Sequence, residues 1–144
     1  MKKFLILLFL IVLVSSCGIQ QKERVQEPSK ISYTAQSRGF RKNVLITKTT
    51  ITVTNEGENT YEKINYDAAR WIELCHLITV IDLNKLKEYK GTTEASAVDR
   101  ALIAHLEIET NAIMYRSNGF DHDNPPKELK AIIDKILAMS ETGV

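Results

Sequence analysis

Two blocks of this chain alternate apolar and polar residues, and that alternation limits what it can fold into. In the first block, Ile31-Ser32-Tyr33-Thr34-Ala35 is followed by Val44 and Ile46, then by Ile51 and Val53 among Thr50, Thr52 and Thr54. In the second, Leu102, Ala104, Leu106 and Ile108 share one face, and Ile103, His105, Glu107 and Glu109 share the other. A period of two marks a strand with one buried face, because successive side chains of a strand point to opposite sides. β-Branched residues dominate, as a pleated surface favours. Ser37-Arg38-Gly39-Phe40 breaks the first run, and Lys48-Thr49 is short enough to link a hairpin. Asn55-Glu56-Gly57-Glu58-Asn59 forms a turn from which Thr60 to Ile64 returns as another strand. Thr110-Asn111 turns the second block, and Ile113 to Ser117 comes back along it.

Two other segments carry the helical period. Trp71, Leu74, Ile78 and Ile81 are spaced 3, 4 and 3 apart, which puts them on one stripe. Asp67 suits the N-cap, since its carboxylate can accept from unpaired backbone N–H groups. This predicts a helix from Asp67 to Val80, with a further short helical turn over Asp82 to Leu86. Near the end of the chain, Leu129, Ile132, Ile133, Ile136 and Leu137 form a second stripe. Pro125-Pro126 precedes it. Proline at a first helical position gives up no hydrogen bond, so the prolines are expected to open this helix, with Asn124 as its cap. Lys90 to Glu94 reads as loop. The order of strands, helix, hairpin and helix predicts an α+β domain, an antiparallel sheet of four to six strands with both helices packed on one face. Thr50, Thr52, His105 and Glu107 then line the wetter face.

The N-terminus reads differently. Met1-Lys2-Lys3 is positive, Phe4 to Val14 is an unbroken run of eleven apolar residues, and Ser15-Ser16-Cys17 follows. This is the plan of a secretory signal peptide. Eleven helical residues reach only about 16 Å, against a bilayer core of about 30 Å, so the run is too short to span. Val14-Ser15-Ser16-Cys17 resembles the lipobox of bacterial lipoprotein precursors. That resemblance implies that residues 1–16 are removed and that Cys17 carries a diacylglyceryl group and an acylated amine. Several acyl chains hold a protein stably on a membrane, where one does so only marginally. Among such lipoproteins an Asp after the cysteine retains the protein at the inner membrane. Gly18 here implies the outer membrane. Residues 17–30 are polar, with one proline, and read as a tether. The folded domain is expected over residues 31–140.

Cleavage leaves 128 of the 144 residues, enough for one domain. It also removes Lys2 and Lys3, so 17 basic residues remain against 18 acidic ones, a formal charge of −1. That balance gives no support for a nucleic-acid partner. With Cys17 committed to lipid, Cys75 stands alone. No intramolecular disulfide can form. Zinc sites built from four cysteines, or from two cysteines and two histidines, are excluded on count. Cys75 lies in the apolar stretch Trp71 to Ile78 and reads as a small buried hydrophobe. Its neighbour His76 points about 100° away on a helix and makes a poor base for it.

Three places could carry chemistry. Asp121-His122-Asp123 sets two carboxylates around an imidazole at a helix start, which suits a divalent metal or polar ligand, with His105 and Glu107 as further donors. The alternative is capping and helix-dipole complementarity, since acidic groups favour a helix N-terminus. Arg38, Arg41 and Lys42 gather around Gly39 and could grip a phosphate or sugar acid, or could be a solvated loop in which Gly39 serves a bend. His105 by itself reads as a solvated strand residue. The chain has no G-x-S-x-G, Walker loop, H-E-x-x-H or C-x-x-C.

Ile31-Ser32-Tyr33 leading to Ser37-Arg38-Gly39-Phe40, and Phe120-Asp121-His122-Asp123-Asn124-Pro125-Pro126-Lys127-Glu128-Leu129, resemble segments of small uncharacterised bacterial lipoproteins. The resemblance covers the mature domain and brings no activity, cofactor or functional residue. The expectation is therefore a membrane-anchored envelope lipoprotein, held by lipid on Cys17, whose domain is a non-enzymatic module that binds an envelope protein or other envelope ligand through the exposed sheet face or the loops around Gly39 and Asp121. The alternatives are a metal- or small-ligand protein or enzyme centred on His122 and His105, and an inhibitor or immunity lipoprotein.

Overall fold

The computed structural model describes residues 27–56, 60–91 and 102–141, with side chains of 60–64 left aside. The expected signal peptide, Cys17, Gly18 and the first part of the expected tether lie outside these residues. So do Gly57 to Asn59 and Thr92 to Glu94.

The period-two segments are strands. β1 (Lys30–Ser37), β2 (Phe40–Ile46), β3 (Thr50–Asn55) and β4 (Thr60–Asn65) form successive hairpins. The first helix, α1 (Ala68–Thr79), follows, and then a single 3-10 turn at Leu83–Lys85. After β5 (Ile103–Thr110), β6 (Ile113–Arg116) and the two-residue β7 (Phe120–Asp121) comes the last helix, α2 (Lys127–Glu141). The sheet is antiparallel throughout and runs β4-β3-β2-β1-β5-β6, with β7 also paired to β5. It is the expected α+β architecture. The second hairpin block docks beside β1, so β2 and β1 take the two central places and β5 lies between β1 and the β6 edge.

Alternation decides the faces. Ile31, Tyr33 and Ala35 of β1, Val44 and Ile46 of β2, Ile51 and Val53 of β3, and Ala104, Leu106 and Ile108 of β5 are all buried. Trp71, Leu74 and Ile78 of α1 close over them, with Leu129, Ile132, Ile133, Ile136 and Met139 of α2. Ile81 and Leu137, expected in the stripes, are only partly buried. The opposite face is half-exposed and polar. There the hydroxyls of Ser32 and Thr34 both donate to Asn43 Oδ1, at 3.3 and 3.2 Å. Lys30 pairs with Glu109 at 2.7 Å and Arg116 with Glu107 at 3.3 Å. Such cross-strand pairs favour one register over a slipped one.

Caps and turns follow local chemistry, with three differences from expectation. Asp67 caps α1 through Ala69 N–H, and Asp82 caps the 3-10 turn through Asn84 N–H. α2 starts at Lys127, after the prolines rather than on them, and its first bond runs from Leu129 N–H to the Pro126 carbonyl. Each proline disfavours helical geometry in the residue before it, so Asn124 and Pro125 stay outside the helix. Asn124 N–H donates instead to the Asp121 carbonyl at 3.1 Å. The packed chain also begins before Ile31. Pro28 is buried, Ser29 N–H donates to the Glu109 carbonyl at 2.8 Å, and Trp71 Nε1 donates to Glu27 Oε1 at 2.8 Å.

The third difference is the β5–β6 turn. Register pairs Thr110 with Ile113, so the turn residues are Asn111 and Ala112, one place later than expected. Both have positive φ, 44° and 64°, as the two central residues of a type I′ hairpin turn must. Asn adopts this region readily, whereas Ala adopts it only at a steric cost. Ala112→Gly is therefore expected to stabilise the domain by about 0.5–1 kcal/mol, the left-handed cost less the extra chain entropy of glycine. An unchanged or lower urea midpoint would contradict this. Gly39, in the β1–β2 link, has φ +82° and open space where a Cβ would stand, so its backbone conformation, not crowding, calls for glycine.

Between β6 and β7 the chain crosses beside β5. The buried Ser117 is bonded both ways to Leu106: its Oγ accepts from Leu106 N–H at 2.9 Å, and its own N–H donates to the Leu106 carbonyl at 2.9 Å. Ser117→Ala would strand the Leu106 N–H and is expected to cost about 1–3 kcal/mol. Faster amide exchange at Leu106 would accompany the loss, and a fall below about 0.5 kcal/mol would contradict it.

Candidate functional site

The two charged clusters singled out in the sequence lie at the same end of the sheet, separated by two strands. Gln36 pairs with Arg41 on one side and Ile103 on the other, and Ile103 pairs with Asp121. Arg41, Gln36, Ile103 and Asp121 thus stand in one row across four strands, about 14 Å from first to last at about 4.8 Å per strand. Arg38 and Gly39 form the exposed turn above this row. Lys30 lies at the opposite end of β1, about 20 Å from this row along the strand, and Glu27 precedes it.

Around Gly39 the surface is hollowed into an open cavity of about 320 Å³, lined by Gln36, Ser37, Gly39, Phe40, Arg41 and Glu56. The Arg41 guanidinium is already engaged there. Its Nε donates to Gln36 Oε1 at 3.2 Å, and it pairs with Glu56 at 3.6 Å. Glu56 N–H also holds the Arg41 carbonyl at 2.8 Å. Arg41 therefore ties the β3 end to β1 and β2. An arriving anion would compete with Gln36 and Glu56 for it. Lys42 is half-buried on the core side of β2, opposite Ala35, away from the exposed Arg38.

The Asp121-His122-Asp123 loop is held mainly from within. Asp121 Oδ1 accepts from Asp123 N–H at 3.0 Å, an Asx turn that fixes the backbone locally. His122 N–H donates to the Leu102 carbonyl at 2.9 Å. The His122 ring turns toward the core, where Nδ1 shares a 2.6 Å hydrogen bond with the Tyr33 hydroxyl and the two rings lie 6.0 Å apart. Tyr33 is fully buried. Burial raises its phenol well above the ordinary 10.0, and the charges of Asp123 and Asp121 add to this. Tyr33 is the residue that sequence reasoning missed. Its signal was its place on the core face of β1, because a buried phenol needs a polar partner.

His105 does not join this group. It pairs with Thr34, whereas Tyr33 pairs with Leu106, so His105 and the ring partner of His122 occupy opposite faces of the sheet. A Cβ added at Gly119 would stand 3.2 Å from His105 Cε1. The glycine lets the chain pass close over the ring. His105 Nδ1 is buried without a hydrogen-bond partner among the described residues. Glu107 points to the same face and is paired with Arg116. The expected metal donors are thus divided between two faces. Among the described residues no three His, Cys, Asp or Glu side chains gather as a ligand set.

Comparison with protein-family models, curated proteins and solved structures finds no match. Geometry therefore carries the functional reading.

Cys75 lies at the margin of the core, half-buried rather than enclosed. Burial first, then the charge of Glu27, pushes its thiol up to about 11, with Lys48 opposing. It is protonated at neutral pH and is a weak nucleophile. His76 is exposed on the helix surface. Among the described residues no helix is long and apolar enough to cross a membrane.

Proposed function

We propose that this chain is a lipid-anchored envelope protein whose domain is a non-enzymatic binding module, and that it engages its partner with the sheet end distal to the anchor. The observation that supports this reading is polarity. The Arg38-Gly39 turn, its cavity and the Asp121-His122-Asp123 loop share the end opposite Glu27. A lipid on Cys17 would leave that end turned away from the bilayer. The cavity is open and edged by charge, and its arginine is held by neighbours. Such a surface suits recognition of a protein with mixed charge better than enclosure of a small substrate. In this reading the outer membrane is the site of attachment, following Gly18, and the partner is another envelope protein.

Photo-crosslinking in living cells tests the proposal. A crosslinker at Arg38 or Asp123 should trap one dominant envelope protein, and the same group at Thr49, at the anchor end, should not. Trapping from Thr49 alone, or turnover of a substrate by the purified domain, would overturn it.

A further inference from the structure

The β5–β6 hairpin ends in a tip with apolar side chains on both sides. Ile113 and Met114 are consecutive on β6 and are 55% and 53% exposed. Neighbouring strand residues project to opposite faces, so neither helix nor sheet covers this pair. The tip lies at the end of the sheet where the chain arrives from its N-terminal region. Thr110 pairs with Ile113, and Glu109 pairs with both Met114 and Lys30. Ser29 N–H bonds the Glu109 carbonyl directly. Met114 is thus two strands from Lys30, about 10 Å. Only residues 18–26 separate Cys17 from Glu27, and nine residues span at most about 32 Å.

We propose that the Asn111–Met114 tip is a membrane contact, with Ile113 and Met114 seated in the interfacial layer of the bilayer that carries Cys17. This rests on the lipid-anchor reading and adds an orientation to it. A lipid interface surrounds a tip on every side, so it can cover both residues, whereas a protein packed on one face of β6 would leave the other residue in water. Charge points the same way. The nearby cations are paired, Lys30 with Glu109 and Lys48 with Glu27 at 3.5 Å. The contact is therefore apolar and does not call for anionic headgroups.

The test uses the full lipidated chain with Cys75→Ser, carrying an environment-sensitive fluorophore at Met114→Cys and, separately, at Arg38→Cys. Each is reconstituted into phosphatidylcholine vesicles with and without brominated acyl chains. The label at 114 should be quenched several-fold more than the label at 38, and added anionic lipid or salt should leave this unchanged. Equal quenching in protein that floats with the vesicles would overturn the membrane contact and leave the anchor reading standing. Protein that does not float would overturn both. A shift of the label at 114 that needs no lipid and grows with protein concentration would assign the tip to a second copy of the chain, and would likewise overturn the proposal.

Discussion

Alanine at Trp71 is expected to cost the domain about 3–5 kcal/mol, a large share of the roughly 5–15 kcal/mol that holds a domain of this kind. Trp71 is 1% exposed and belongs to the layer where α1 closes over the sheet. Its removal leaves a large apolar void that neighbouring side chains can only partly fill. The indole also has a polar end, which donates to Glu27. That bond is the chief reason the Glu27 carboxyl is held below its usual range, with the Lys48 charge helping. Trp71→Phe separates the two roles. It keeps most of the apolar contact and removes the donor, so it should cost much less than alanine while speeding amide exchange at Ser29 and Lys30. Trp71 is the one tryptophan of the chain, so unfolding of the variants is followed by circular dichroism in urea. A loss below about 1 kcal/mol for alanine would contradict the packing described here.

The second large effect is loss of stability in alkali. Burial raises the Cys75 thiol from 9.0 to about 11 and the Tyr66 phenol from 10.0 to about 12, and it raises Tyr33 further. All three are acids that the native state keeps neutral. Above about pH 9 the unfolded chain begins to release protons that the native state retains. Stability is then fully present below the unfolded thiol value of 9.0 and falls as pH rises through the windows from 9.0 to about 11 and from 10.0 to about 12. Each such proton costs at most about 1.4 kcal/mol per pH unit. Cys75 and Tyr66 are partly exposed, and solvent screening reduces their share. The urea midpoint should therefore hold from about pH 7 to 8.5 and drop steeply by about pH 11. Tyr33→Phe supplies the control. It removes the hydroxyl shared with His122, which should cost about 0.5–1.5 kcal/mol at neutral pH, and it should make the alkaline decline shallower. A decline of equal steepness in Tyr33→Phe would mean that Tyr33 is not one of the retained acids.

The same contact bears on the candidate site. Tyr33 anchors His122 from beneath, so the Asp121-His122-Asp123 loop is set by β1 as well as by its own turn. A histidine flanked by two carboxylates suggests a ligand site when it is read along the chain. In the fold, one imidazole nitrogen is occupied by a core hydroxyl, and one carboxylate is bonded to the backbone two residues on. Likewise Arg38 and Arg41, so close in sequence, have different fates. Arg38 is exposed on the turn, and Arg41 is held by Gln36 and Glu56. Exposure and partner choice depend on which strands lie alongside, and spacing does not report that.

The carboxylate of Asp67 indicated where α1 begins. Local periodicity by itself indicated most of the residues that face inward, though not the partial exposure of Ile81 and Leu137, and it indicated β1 to β6 and both helices but not the short β7. It could do so because side-chain direction follows backbone geometry within a few residues. It misjudged the Ala112 turn and the start of α2, where steric detail at one or two residues outweighs the pattern. Only the tertiary structure decided that β5 docks beside β1, that Tyr33 meets a histidine 89 positions later, and that His105 and His122 part to opposite faces. These outcomes depend on strand pairing between distant segments, where the favoured neighbour is the one that buries both apolar faces beneath the same two helices.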